Sequence, residues 1–279
     1  MDLTSPTNIK ELLARHETRP SKGLGQNFLI DKNVLAKIIE TADLKPGDTI
    51  LEIGPGIGTL TKELAKNASK VIAIEKDKTM VEVLKETLKG IKNVEVINAD
   101  ILKLDSTNYS LLTTNYKVVA NIPYYITAPL IRFLLENDNP PTEIVLMVQK
   151  EVAQRICSNP PDMTLLSVSV QFYAKPKIAS YVSKNCFWPS PKVDSAIIKI
   201  IPRGPTSRPT GGRTSPDLFF RVVKAGFSQP RKQLGNNLAK MLKIERKKTD
   251  EWLLKNKLDP KQRAETLSIE DWIKLVSSL

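Results

Sequence analysis

The stretch "DTILEIGPGIGTLTKELA", residues 48–65, passes from an apolar run through closely spaced glycines into a helical pattern. Thr49 to Ile53 has the composition of a strand covered on both faces, and a helix is expected from about Thr59. Between them, Glu52, Gly54, Gly56 and Gly58 form E-x-G-x-G-x-G. Glycines at such a junction permit a tight turn and let a ligand press on the backbone. The dinucleotide fingerprint G-x-G-x-x-G would need glycine at position 59, which is Thr59. A tight strand–helix turn would explain the glycines alone, so the neighbouring strands have to decide.

Downstream, "KVIAIEKD" (70–77) is a second short apolar strand ending in acid, and 79–89 has helical spacing. "VEVINAD" (94–100) is a third strand ending in acid, 117–120 a fourth and "EIVLMVQK" (143–150) a fifth. Strands alternating with helices predict a parallel, doubly wound sheet that binds ligands at the strands' carboxyl ends. "KVDSAIIKII" (192–201) is expected as a late, antiparallel closing strand. Upstream, Val34 to Ala42 has helical spacing, with Asp31 or Asn33 as its cap. The segment 202–216 is rich in Pro, Gly, Ser and Thr and has no periodicity, which marks a linker. Beyond it, Leu218 to Leu279 shows helical patterning only, so two domains are expected, 1–203 and 204–279.

Two acids give the glycine turn its meaning. Glu75, 17 residues past Gly58 at a strand end, suits both hydroxyls of a ribose. Asp100 repeats the arrangement one strand later, where a carboxylate can take an adenine amine. Each acid alone is better explained as a helix cap or a solvated turn. Together they describe an adenosine pocket with no basic residues for phosphates, and no G-x-x-x-x-G-K-[ST] loop is present. An adenosine with a cationic sulfonium and an amino-acid tail fits better than NAD or ATP, which points to S-adenosylmethionine.

Composition narrows the partner. The 279 residues carry 42 Lys or Arg against 30 Asp or Glu, a net charge of +12, which suggests a polyanion, nucleic acid before membrane. A Lys-rich solvated surface would give the same balance. No apolar run approaches a membrane span, and "MDLTSPTNIK" lacks the pattern of a secretion signal. Cys157 and Cys186 have no metal-ligand spacing and fit a reducing cytoplasm, so a cytoplasmic location and no metal are expected. The single histidine, His16, makes histidine triads and zinc sites poor candidates. Between Arg221 and Lys248, nine Lys or Arg stand against one acid, Glu245. There "SQPRKQLGNN" is a basic, amide-rich loop suited to phosphate and sugar contacts, whereas "KMLKIERKK" suits a solvated helix face. Arg15, Arg19, Lys22, Arg203, Arg208 and Arg213 would extend that footprint.

Six motifs then occur in order: "GLGQNFL" (23–29), "LEIGPGIGTLT" (51–61), "NIPYYIT" (121–127), "MVQKEVAQRI" (147–156), "FWPSPKVDSAIIKI" (187–200) and "RAETLSIEDW" (263–272). The chain thereby resembles the bacterial small-subunit rRNA adenine N6-dimethyltransferases over nearly its whole length. The resemblance implies a Rossmann-like α/β methyltransferase domain followed by a small all-α, RNA-binding domain. It implies dimethylation, from S-adenosylmethionine, of two adjacent adenines near the 3′ end of 16S rRNA, in the 30S subunit during ribosome biogenesis; a monomer is expected. By similarity, Asn27 and Leu29 would close over the cofactor, with Gly54, Glu75, Asp100 and Asn121 completing its pocket. Asn121, Tyr124 and Phe187 would form the catalytic site, Phe187 as the wall opposite Tyr124.

The chemistry explains "NIPY". Adenine N6 is a poor nucleophile because its lone pair is delocalised into the ring. Hydrogen bonds from the amine to the Asn121 side-chain oxygen and the Ile122 carbonyl favour a pyramidal nitrogen whose lone pair faces the methyl. Pro123 fixes φ so that the carbonyl can be aimed, and Tyr124 offers a π-face to the flipped base. Alignment replaces a strong base, so a catalytic histidine is not needed. Tyr125 is assigned to the core and Cys186 to no role. Alternatives are the large-subunit rRNA adenine dimethyltransferases of antibiotic resistance and a non-catalytic assembly or transcription factor of the same fold. A DNA adenine methylase would more typically carry [DN]-P-P-[YFW], where position 122 here is isoleucine.

Overall fold

A computed structural model describes residues 1–104, 115–137, 139–203 and 215–279. The linker expected at 202–216, with Arg208 and Arg213, lies almost wholly outside the described residues. Two compact units are present. The first comprises Met1–Ala153 and Pro176–Pro202, the second Gln154–Lys175 and Arg203–Leu279. A division at 203/204 would assign 154–175 to the first domain, whereas in the structure this stretch clusters with the C-terminal residues.

The first unit opens with helix α1 (Pro6–Arg15), capped by the Ser5 side chain. Strand β1 (Phe28–Leu29) follows, then α2 (Lys32–Ala42). The α2 cap is Asp31, whose Oδ1 accepts from the Asn33 and Val34 amides at 2.9 and 3.0 Å. Next come β2 (Thr49–Ile53), α3 (Thr59–Asn67), β3 (Lys70–Glu75), α4 (Lys78–Thr87) and β4 (Val94–Asn98). Then β5 (Lys117–Asn121), α5 (Thr127–Glu136), β6 (Glu143–Gln149) and α6 (Lys150–Ile156) complete the alternation. Helix α7 (Leu165–Tyr173), β7 (Ala174–Val182), β8 (Phe187–Trp188) and β9 (Ser195–Pro202) end this part of the chain.

The main sheet has the order β4-β3-β2-β5-β6-β9-β7. Pairs β2–β3, β3–β4, β2–β5 and β5–β6 are parallel, and β9 closes antiparallel on β6 with Ser195 opposite Gln149. Strand order therefore reverses between β2 and β5, and their carboxyl ends open a crevice there. Helices pack on the parallel strands, so β6 is apolar and buried from Ile144 to Val148 rather than alternating. A separate ribbon joins β1 to β8, pairing Phe28 with Trp188 and Leu29 with Phe187. Leu3, Ile9, Leu12 and Leu13 of the N-terminal segment pack with Phe28, Ile57, Met80 and Val83, which ties that segment to the glycine turn through Ile57.

In the second unit, α7 is joined by α8 (Pro216–Gly226), α9 (Leu234–Leu242), α10 (Arg246–Lys255) and α11 (Ile269–Ser277). Phe172 stacks on Phe219 with ring centroids 4.2 Å apart, and Tyr173 and Phe220 complete an aromatic cluster. Among the described residues no helix is long and apolar enough to cross a membrane.

Candidate active site

At the reversal between β2 and β5, one cleft is lined by Asn27, Leu29, Glu52, Gly54, Glu75, Asp100, Asn121 and Tyr124. The chain reaches it by sharp turns. Gly54, Gly56 and Gly58 all have positive φ, of 67°, 59° and 86°. At Gly56 an added Cβ would also stand 3.1 Å from the Phe28 ring. The turn therefore needs glycine both for its conformation and for the approach of the 23–29 segment.

The acids are arranged differently from one another. Glu75, buried at the end of β3, accepts from the Gly56 amide at 3.1 Å through Oε2 and from the Asp77 amide at 2.8 Å through Oε1. Burial pushes its carboxyl up from the ordinary value, against those two hydrogen bonds. Asp100 accepts from the Leu102 amide at 3.2 Å and meets Lys76 Nζ at 3.0 Å. Partial burial pushes it up, but Lys76 and the Leu102 amide outweigh that and leave it below the usual range. Glu52 is only 1% exposed, and among the described residues its Oε2 has no hydrogen-bond partner. Burial, with the Glu75 carboxylate as a smaller contribution, raises it to about 8.

At the end of β5, the Asn121 carboxamide nitrogen donates to the Asn27 backbone carbonyl at 3.3 Å. The side-chain oxygen is thereby turned away from that carbonyl. Pro123 (φ −58°, ψ 131°) leads into a short 3-10 turn, Tyr124–Ile126, and Thr127 Oγ1 donates to the Tyr124 carbonyl at 2.9 Å. The Tyr124 hydroxyl lies 2.7 Å from Ser195 Oγ, and Ser195 is fully buried, which holds the hydroxyl end of the ring in place.

All the residues expected to hold a cofactor thus line a single cleft, together with Tyr124. Phe187 is not among the lining residues: it is 3% exposed and packs with Leu29, Val119, Val145 and Ile197. Its pairing with Leu29 in the β1–β8 ribbon turns it into the core beneath the cleft wall. Tyr125, assigned to the core from sequence, is instead 55% exposed and lines the cleft. Side chains are about a third of a turn apart in a 3-10 segment, so Tyr124 turned inward leaves Tyr125 outward. Sequence reasoning also missed Lys76, whose position beside Asp100 depends on the register of β3 against β4. His16 bonds Glu86 at 2.8 Å and lines no part of the cleft. Cys186 Sγ donates to Asp31 Oδ2 at 3.5 Å.

Of the basic, amide-rich loop, only part faces solvent. Asn237 is buried and donates to the Gly226 and Gln229 carbonyls at 2.7 and 3.0 Å, while Asn236 accepts from Arg246. The amides hold α9 in place; Arg231 and Lys232 remain exposed. In the following stretch Arg246 pairs with Asp250 at 2.7 Å, and Lys247 and Lys248 are solvated.

The cleft's chemistry suits an adenosyl sulfonium. Among the described residues three carboxyl groups line it, the one lining ammonium, Lys76, is already paired with Asp100, and Glu52 keeps an unpartnered buried oxygen. A pyrophosphate would meet repulsion there; a cation with ribose hydroxyls and an adenine amine would not. Among the described residues no group of His, Cys, Asp and Glu could hold a metal ion.

Comparison with known proteins agrees with this chemistry. Residues 17–279 match the family model described as ribosomal RNA adenine dimethylase. A protein of Dehalococcoides mccartyi named ribosomal RNA small subunit methyltransferase A is 45% identical over 266 residues, 95% of this chain and 90% of its own. One of the same name from Alkaliphilus oremlandii is 42% identical over 285 residues, covering 99% and 98%. Among solved structures, a dimethyladenosine transferase from Plasmodium falciparum superposes with a TM-score of 0.73 at 31% identity, covering 89% of this chain and 95% of its own. The 23S rRNA methyltransferase ErmE gives 0.72 at 28%, covering 91% and 99%.

Proposed function

This chain belongs to the ribosomal RNA adenine dimethylase family, and from that membership we propose that it dimethylates N6 of two adjacent adenines near the 3′ end of 16S rRNA in the 30S subunit, using S-adenosylmethionine. The observation that carries the mechanism is the Asn121 carboxamide, whose nitrogen is held by the Asn27 carbonyl. Its oxygen is left to accept from the adenine amine at the carboxyl end of β5. That hydrogen bond draws the N6 lone pair out of conjugation and aims it. Tyr124, pinned by Ser195, supplies the flat surface on which the base lies, and stacking of this kind contributes ~1–3 kcal/mol.

When bound, the cofactor supplies an electrophilic methyl group on a sulfonium. Glu75 would accept its ribose hydroxyls while staying bonded to the Gly56 and Asp77 amides, and Asp100 would accept from its adenine amine. Gly54 lets the backbone approach the tail, and Asn27 with Leu29 would cover it. Phe187 would act from beneath, by setting the position of Leu29. The small-subunit branch is favoured by the names and the 42–45% identity of the relatives above, against 28% for the 23S enzyme.

The test is incubation with labelled S-adenosylmethionine and, separately, unmethylated 30S, 50S, naked rRNA or DNA. Label on 30S, mapping to two adjacent adenines as N6-dimethyladenine, is expected. Label on 50S alone would assign the protein to the other branch, and no label on any substrate would make it a binding protein.

A further inference from the structure

We infer that Tyr181 and Lys150 form an external platform on which a nucleotide flanking the target adenine stacks; this rests on the reading of the chain as an rRNA adenine methyltransferase. Tyr181, near the end of edge strand β7, is 53% exposed, a large aromatic ring left in solvent. Lys150 Nζ lies 5.2 Å from its ring centroid, so one partner holds the ring while much of its surface stays open.

The platform's position relative to the base site is fixed by the backbone. Ser195, which pins Tyr124, is paired with Gln149 across β6 and β9. Lys150 is the next residue, and its amide donates to the Asp194 carbonyl at 3.0 Å. The Lys184 amide donates to Asp194 Oδ1 at 3.1 Å, which closes the end of β7 onto the same point. The platform therefore sits one residue beyond the hydrogen bond that holds the candidate base-stacking ring.

Charge identifies the occupant. Lys150, Lys177, Lys184 and Lys192 are all exposed, and among the described residues no carboxylate is in ion-pair range of any of them. Lys177 shares the Tyr181 face of β7, four residues away, which is ~13 Å along a strand. An open aromatic ring flanked by unpaired ammonium groups is the surface that single-stranded nucleic acid takes: bases stack and phosphates are neutralised. An adenine drawn into the cleft leaves its neighbours unstacked, and this ring offers one of them a replacement.

The experiment measures methylation of 30S by the full-length protein and its Tyr181→Ala, Tyr181→Phe and Lys150→Gln variants, with the melting temperature and S-adenosylmethionine affinity of each. Loss of one stacked base is expected to raise KM for 30S by ~10-fold in Tyr181→Ala, with kcat near the wild-type value. Tyr181→Phe should restore KM, because stacking uses the ring and not the hydroxyl. Lys150→Gln should raise KM and flatten its dependence on salt. A wild-type KM in Tyr181→Ala, or a raised KM that only follows a lowered melting temperature, overturns the inference while leaving the function intact. Wild-type protein that transfers no methyl to 30S would overturn both.

Discussion

Asn121 is a residue whose two ends do different work. Its nitrogen is committed to the Asn27 carbonyl, and its oxygen is the atom that, in the proposed reaction, accepts from the substrate amine. Asn121→Ala should therefore keep RNA binding and lose at least ~100-fold in kcat, the scale of loss when a single aligned polar group is removed from a reaction centre. Single-turnover transfer to 30S beside a filter-binding measurement checks this, and near-normal turnover would take Asn121 out of the mechanism. Glu52 makes a prediction about stability. The unfolded chain loses this proton near the ordinary value of 4.5, whereas the folded protein keeps it to about 8. Over that window the folded state binds more protons, so stability falls as pH rises, and below it the group contributes no penalty. Ligand-free protein should melt at progressively lower temperature from about pH 5 to about pH 8, and Glu52→Gln should flatten that slope. A wild-type melting temperature that is level across this range would contradict the assignment. Residues of this kind are only half legible in a sequence. The motif spacing picks out Asn121 and Glu75, but the orientation of a carboxamide or the unpartnered Oε2 of Glu52 among the described residues exists only once distant strands are in register.

At the scale of elements, the glycine turn does most of the positioning. Gly58 adopts φ +86° at the cap of α3, and an added Cβ would lie 3.0 Å from Leu84 and 3.2 Å from Thr87 of α4. Gly58→Ala should cost ~1–2 kcal/mol from the left-handed backbone alone and more from crowding, and it should weaken cofactor affinity by displacing the turn. Thermal melts and calorimetric titration with S-adenosylmethionine measure both effects, and an unchanged melting temperature would deny the strain. The parallel strands were readable because burial on both faces makes them continuous apolar runs. Elements held by tertiary pairing left no such trace. Strands β1 and β8 are two residues each, and their ribbon decides that Phe187 faces the core and not the cleft. Helix α7, "LLSVSVQFY", is apolar nearly all round and rich in strand formers, so periodicity cannot identify it. Edge strand β7 carries a proline and half-exposed residues, which hide it in the same way.

Over the whole molecule, the net charge of +12 sets the conditions of binding. Affinity for 30S should fall log-linearly with salt, by tenfold or more between ~50 and ~200 mM, because each phosphate neutralised releases counterions. Affinity for S-adenosylmethionine, a small cation in an acid-lined cleft, should change far less, and parallel titrations separate the two. The charge was visible in the composition, but its division between solvated lysines and internal pairs such as Arg246–Asp250 was not. The order of the chain through the two units has a further consequence. Residues 154–175 leave the first unit and the chain re-enters it at Pro176 before departing again after Pro202. The helical unit is therefore an insertion plus a tail, joined by three peptide crossings. A cut after residue 203 cannot release it whole: it would strand Phe172 and Tyr173 on one fragment and their ring partners Phe219 and Phe220 on the other. A single exchange of chain after residue 203 would likewise divide this unit and its ring cluster and not transfer it whole.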